Sequence, residues 1–578
     1  MERRSLIHRI LAAEVVGRAA LHACHGIRVL GPCLALSAAL IATPVAAGEG
    51  SASFALQRLL PALGGDGTEG AVLRGIDEGS LAGRVVANAG DVNGDGVDDA
   101  IVGSWAGTNL QGEAYVVFGS ATGLGATVEL ASLMSEFGGD GSAGFAITTD
   151  LPFHFLGWSV AGAGDLNADG VDDIALGAIG ASADAGAVYV IFGRATGFPA
   201  EFDVQQLHPE GGGDGSDGVV ILGATPGDEL GRAAAFVGDI DNDSVDDLII
   251  SATPDARETY VIKGRTDGFP AVLEVADLRP ESGGDGGAGF VLTGVGPAEF
   301  SDRAVGSAGD LNGDGLNDLI LGAESENTFG SNRAGRTYVV YGRSAGFPAA
   351  FNVRSLLLAN GGDGTEGFAL NGIDDDDRSG SAVARAGDLN DDGVDDIIIS
   401  APNGDANGLS DAGENYVIYG RSTGFPAEFE LRDLFPGLGG DGTEGFVIKG
   451  PTVNDETGQA INALGDFNGD GVDDVLIGSF NRDPFGRARA GETYVLFGRD
   501  AGFGASVDLI GLFPAAGGDG SEGTVIRGID ESDFSGISVS AGDFNGDGQV
   551  DVLIGADGAD PGGRGSAGEM YIVYGQCP

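Results

Sequence analysis

Phe155–Ala178 reads FLGWSVAGAGDLNADGVDDIALGA. Small and apolar residues alternate from Gly157 to Gly164, an Asp/Asn/Gly loop follows, and an aliphatic run starts at Asp173. Alternation, a turn and a short apolar run predict strand, loop, strand. The loop recurs seven times, as DVNGDGVDD (91–99), DLNADGVDD (165–173), DIDNDSVDD (239–247), DLNGDGLND (310–318), DLNDDGVDD (388–396), DFNGDGVDD (466–474) and DFNGDGQVD (543–551). The intervals are 74, 74, 71, 78, 78 and 77 residues. Three further features keep this rhythm. A GGDG turn precedes each loop, a small-residue run such as Ser159-Val160-Ala161 adjoins it, and a strand follows it, starting at Tyr115, Tyr189, Tyr260, Tyr338, Tyr416, Tyr494 and Tyr571.

In the second unit the strands are Gly157–Gly164, the run from Asp173 through Leu176, Tyr189–Phe192 and, just before them, Phe145–Thr148. No helical period of useful length appears. Seven four-stranded units predict an all-β fold, a seven-bladed β-propeller. A linear solenoid is the competing architecture, and it needs capping repeats that are not visible. The chain ends favour the ring. The last unit stops after its third strand, at Gly575. An orphan copy of the missing piece, Phe54–Leu59, GGDGTEG from Gly64 and Ala71–Gly75, precedes the first unit and matches the stretch from Phe429 to Gly450. The N-terminal strand is therefore expected to pair with the last blade and close the ring.

The loop places oxygen donors at positions 1, 3, 5 and 9, a carbonyl at position 7 and glycine at position 6 for the turn. These are Asp91, Asn93, Asp95, Val97 and Asp99, then Asp165, Asn167, Asp169, Val171 and Asp173. The third copy has Asp239, Asp241, Asp243, Val245 and Asp247, and the fourth Asp310, Asn312, Asp314, Leu316 and Asp318. The last three have Asp388, Asn390, Asp392, Val394 and Asp396; Asp466, Asn468, Asp470, Val472 and Asp474; and Asp543, Asn545, Asp547, Gln549 and Asp551. Hard oxygen donors on a tight loop suit Ca2+, which accepts 6–8 of them. Zinc and copper would want His or Cys. Up to seven calcium ions are expected. The third copy is the weakest, with Asp241 for asparagine and Ser244 for glycine. An EF-hand is excluded: position 12 would be a glutamate entering a helix, and it is Val102, Leu176, Ile250, Leu321, Ile399, Ile477 or Ile554.

On these residues the chain resembles FG-GAP repeat proteins, above all the N-terminal β-propeller of integrin α subunits. Leu389-Asn390 through Ala401-Pro402 is a second close match, and the resemblance covers about residues 54–575. It implies seven blades with calcium in loops joining first and second strands. Asp302 departs from it, replacing the glycine of the FG position, and the seventh copy is one residue shorter between Gly536 and Asp543. No inserted ligand-binding domain, leg region or transmembrane helix is recognisable, so integrin signalling does not carry over. The GGDG turns, with Asp66, Asp140, Asp214, Asp285, Asp363, Asp441 and Asp519, read as structural turns, because the contiguous repeats that share calcium in β-rolls are lacking.

Composition bounds the function. The 578 residues hold 107 glycines, and 87 acids face 30 bases, a net charge of -57. Such a chain repels phosphate backbones, so no nucleic-acid partner is expected. Residues 1–47 read as a signal peptide, with five arginines before an apolar run, Val29–Ala47, that ends in small residues. Residues 48–578 form the propeller. The expected location is secreted or extracellular, periplasmic or cell-surface associated, with no stable membrane insertion after cleavage. Only Cys577 follows residue 47, so no internal disulfide is available.

No catalytic constellation is recognisable, and no enzyme is expected. The reading is a monomeric calcium-binding adhesion or ligand-binding module. Its protein or glycan ligand would sit on the face opposite the calcium loops, where the connections vary. A propeller-type polysaccharide lyase or hydrolase and a structural surface or matrix protein are the alternatives. Two clusters on the variable face are candidate contacts: Trp105 with Phe153, His154, Phe155 and Trp158, and Arg482, Arg487 and Arg489 with Arg333 and Arg336 nearby. Inter-blade packing and local charge neutralisation are the competing readings of them.

Overall fold

The computed structural model describes residues 52–575 apart from 108–109, 254–257, 295–303 and 329. The expected leader, Asp302 and Cys577 lie outside the described residues. Each apolar run after a loop becomes a strand buried along its whole length, as in Asp99–Ser104 and Asp173–Ala178. Such a strand needs covered neighbours on both faces. Seven radial sheets supply them, each packed between two others.

Blade one orders Val85–Gly90, Asp99–Ser104, Glu113–Val117 and Gly144–Thr148 from the inside outward, all antiparallel. The ring closes as the chain ends foretell. Gly70–Arg74 pairs antiparallel with Glu569–Val573 and completes blade seven. The cores lie between blades: Ile101, Val116 and Phe145 of blade one pack with Leu176 and Tyr189 of blade two.

Four strands per unit are legible in the sequence; a fifth is not. Every sheet has a three-residue outer strand that pairs parallel with the fourth and comes from the following unit. Glu201–Asp203, from the second unit, edges blade one. Ser53–Ala55 edges blade six, and Thr127–Glu129 edges blade seven. The GFPA stretch before these strands, GFGA at 502–505, anchors the overlap. Phe198 stacks on Phe145 at 4.2 Å, and Phe347 on Phe290, Phe425 on Phe368 and Phe503 on Phe446 repeat the pair at 4.2–4.3 Å.

Strand alternation puts the Asp/Asn/Gly loops and the GGDG connectors on one face. The second-to-third-strand loops and the blade-to-blade connections lie on the other. Among the described residues no helix is long and apolar enough to cross a membrane.

Candidate metal centres

Each loop is built by two of its own carboxylates. Position 1 shapes it: Asp91 Oδ1 accepts the N–H of Asp95 at 2.8 Å, and Oδ2 that of Gly96 at 2.7 Å. Asp165, Asp239, Asp310, Asp388, Asp466 and Asp543 do the same. Position 6 needs the left-handed region, with φ +88° at Gly96 and +91° at Gly315. A Cβ at either would meet nothing within 4 Å, so the angle and not space selects glycine. Ser244 holds the same conformation at φ +68° with a side chain that disfavours it.

Position 9 ties the loop to the sheet. Asp173 is fully buried; its Oδ2 accepts the N–H of Leu166 at 2.9 Å and its Oδ1 that of Gly193 at 3.0 Å. Gly193 closes the third strand against the loop, where a Cβ would lie 2.2 Å from the Asp172 carbonyl oxygen. All seven position-9 aspartates, Asp99, Asp173, Asp247, Asp318, Asp396, Asp474 and Asp551, have no exposed surface. Burial first, with the neighbouring loop carboxylates adding to it, pushes Asp474 up to about 7 and the other six up to about 8. Two backbone N–H donors only partly offset this.

Position 8 carries a role that reading single loops does not reveal. Asp172 Oδ2 accepts the N–H of Asp91, the first residue of the preceding blade's loop, at 2.8 Å. Asp246 serves Asp165, Asp395 serves Asp310, Asp473 serves Asp388 and Asp98 serves Asp543, at 2.8–3.1 Å. Five of seven seams are stitched this way. Val550 stands at position 8 of blade seven, so the N–H of Asp466 lacks that acceptor. The repeated Asp-Asp doublet was the available signal; its second partner lies about 80 residues away.

The donor set fits calcium. Hard oxygens line every loop, each carboxylate oxygen bonded to an N–H keeps a second lone pair, and Oδ2 of Asp318 is buried without a partner of hydrogen-bonding geometry. A dication here would relieve the burial of position 9. Asp239, Asp241 and Asp247 bring carboxylate oxygens within 4.8 Å of one another, the one such trio among the described residues. In the other loops position 3 is asparagine, whose Nδ2 donates within the loop in five of the six. Asn93 reaches Asp99 at 3.3 Å, Asn167 Asp169 at 3.1 Å and Asn390 Asp392 at 3.0 Å.

The GGDG aspartates form turns. Asp140 Oδ1 accepts the Ser142 N–H at 3.0 Å and its hydroxyl at 2.6 Å, and these bonds hold its carboxyl below the usual range. Asp66, Asp214, Asp363, Asp441 and Asp519 are held in the same way.

On the opposite face most members of both sequence clusters are engaged within the fold, while Phe153, Arg333 and Arg489 are exposed. Trp105 and Phe155 are buried, and Trp105 lies 5.1 Å from Trp158 across the seam of blades one and two. Of this group Phe153 is the exposed member. Arg482 bonds Glu492 and the Thr452 hydroxyl at 2.9 Å, and Arg487 donates to the Ile529 carbonyl. Arg489 lies over Phe534. Arg336 pairs with Glu326 at 2.6 Å, and Arg333 with Asp376. What the sequence did not signal is a cavity of about 540 Å³ at blade five, lined by Asp377, Glu414, Arg432, Phe435, Leu438 and Lys449 among others. Burial pushes Asp377 up to about 7 there.

The FG-GAP repeat model matches residues 156–191, 304–340, 379–418, 459–496 and 535–573, which fall in blades two, four, five, six and seven. Integrin alpha-4 of Xenopus laevis is 32% identical over 177 residues, 30% of this chain and 14% of that protein. Phosphatidylinositol-glycan-specific phospholipase D of Mus musculus is 32% identical over 162 residues, 25% of this chain and 18% of that protein. Integrin alpha-5 of Xenopus laevis is 26% identical over 255 residues, 43% of this chain and 19% of that protein. Each match spans less than a fifth of the relative's length. Five of the seven blades thus carry FG-GAP repeats, and the closed ring is similar to the FG-GAP β-propeller of the integrin α subunits.

Proposed function

We propose that this is an exported, calcium-stabilised propeller that binds a protein or glycan on the face opposite its metal loops. The observation that carries the reading is the division between the faces. One repeats the same oxygen-rich loop seven times, and the other bears connections that differ in every blade and that line the blade-five cavity together with the outer 3-10 turns of residues 431–438. Its volume lies in the range of small-ligand sites, with Phe435 and Leu438 as apolar wall and Arg432, Lys449, Asp377 and Glu414 as polar groups. That mixture suits a hydroxyl-rich or zwitterionic group, such as a sugar.

Calcium in the loops would neutralise the buried position-9 carboxylates and stabilise the native ring, since an ion bound to the folded state alone raises its stability. Excess chelator is expected to lower the melting temperature by about 10 °C or more; an unchanged melting curve sinks the calcium part. Glycan and protein arrays probed with wild type and Lys449→Ala test the binding part. Binding lost in the variant without a change in melting supports the cavity. The likeness to a phospholipase D covers 25% of this chain. Release of a phosphatidylinositol-glycan-anchored protein from vesicles would replace binding with catalysis.

A further inference from the structure

The third loop departs from the other six at several positions at once. Asp241 stands for asparagine and Ser244 for glycine. A third departure lies 22 residues after Asp241. The residue before the glycine that closes the third strand is aromatic in six blades: Phe118, Phe192, Tyr341, Tyr419, Phe497 and Tyr574. In blade three it is Lys263, one of only two lysines in the chain. Its side chain is largely buried, and its Nζ forms an ion pair with Oδ2 of Asp241, itself buried.

We propose that the Lys263 ammonium takes the place of the metal ion at the third loop, so that the propeller binds six calcium ions rather than seven. This rests on the reading that the other loops take calcium. The extra negative charge and the positive charge arrive together and meet. Asparagine at position 3 donates an N–H inside its own loop, as Asn93 and Asn167 do. An aspartate cannot donate, and beside Asp239 and Asp247 it adds like charge within 4.8 Å. Lys263 provides the missing donors and the missing positive charge from a neighbouring strand. A dication among these carboxylates would have to sit beside a fixed ammonium at short range in a poorly screened site, where like charges repel strongly. The loop keeps its shape without the ion, because Asp239 still accepts from Asp243 and Ser244, and Asp247 from Ile240 and Gly264. Oδ1 of Asp241, buried and without a hydrogen-bond partner, and the close approach of the three carboxylates favour an ion here, and this makes ion counting the decisive measurement.

The experiment counts calcium bound per chain, by native mass spectrometry and by elemental analysis after desalting. It compares wild type with the double variant Lys263→Phe, Asp241→Asn, which restores the residue types of the other blades. Six ions in wild type and one more in the double variant are expected. Seven in wild type, or no increment in a folded double variant, overturns the proposal. A second measurement separates this from failure of the calcium reading itself: melting in excess chelator. There Lys263→Met should melt several degrees below wild type, because it strands a buried carboxylate, whereas Phe192→Met in blade two should shift melting less. Equal shifts for the two variants overturn the role of the lysine even if no loop binds calcium.

Discussion

On the loop face, blade after blade repeats one solution: position 1 folds the loop, position 9 fastens it, and at five of seven seams position 8 reaches to the preceding blade. On the opposite face one constant residue, the tyrosine of the third strand, is satisfied in different ways. Tyr416, Tyr494 and Tyr571 donate to the glutamate two residues upstream, at 2.8, 2.9 and 2.7 Å. Tyr338 uses Glu326 from a loop, at 3.0 Å, with Arg336 beside it. Tyr189 has no glutamate; its hydroxyl lies 3.0 Å from His154 Nε2 and 3.5 Å from His208 Nε2. Identical parts on one face hold seven sheets in register. That frees the other to vary around a single anchor per blade, which is the arrangement recognition surfaces adopt on rigid scaffolds.

If the loop face is the scaffold, damage there should cost stability first. Asp173→Ala leaves the N–H groups of Leu166 and Gly193 unpaired in the core and should destabilise by about 4 kcal/mol, read by urea unfolding in chelator. Lys449→Ala on the other face should cost under about 0.5 kcal/mol. A reversed order would break the contrast between the faces.

Blade two offers a sharper test of how differently the tyrosines are held. Burial, with His208 adding to it, pushes His154 down to about 4 from an ordinary value near 6.5. The unfolded chain therefore takes up the proton first as the pH falls. The contribution of His154 to stability is full above pH 6.5, falls by about 3 kcal/mol on the way to pH 4 and flattens below, against the opposite trend of the buried position-9 aspartates. His154→Gln should remove this slope; unfolding curves at pH 7, 5.5 and 4 of the two proteins, both in chelator, measure the difference.

Two smaller effects probe the loop face itself. Asp172→Ala removes the acceptor for the Asp91 N–H and should cost about 1 kcal/mol, a loss that blade seven already carries at Val550. Ser244→Gly should stabilise by about 0.5 kcal/mol, the relief of a left-handed serine less the entropy of a new glycine. A loss on Ser244→Gly would show that the third loop follows rules of its own.

The repeat number, the loop geometry and the ring closure were legible because each leaves a local, periodic trace: nine-residue loops, one tyrosine per unit, an orphan Phe54–Gly75 piece. What escaped depends on partners far apart in the chain. Glu201–Asp203 is too short to announce itself as a strand, and its pairing with Ala146–Thr148 is parallel and between units. Asp172 looks like a spare acid until the folded ring brings Asp91 to it. Trp105 and Trp158 share a composition with sugar platforms, and only the seam between two blades decides that they pack against each other. The cavity at blade five draws on residues from Ile373 to Lys449, none of which forms a motif.

The outer strands have a consequence for how such rings can change in size. Because every blade borrows its edge from the next unit, the unit of inheritance and the unit of architecture are out of phase. A duplicated stretch of about one repeat period, cut anywhere, still donates one edge backward and receives one from ahead, so the ring can gain or lose a member without an orphaned border. The overhang of Ser53–Arg74, which edges blade six and completes blade seven, is the same phase shift seen at the chain end. It works like the offset joint of a woven band, in which no thread ends where its neighbour does.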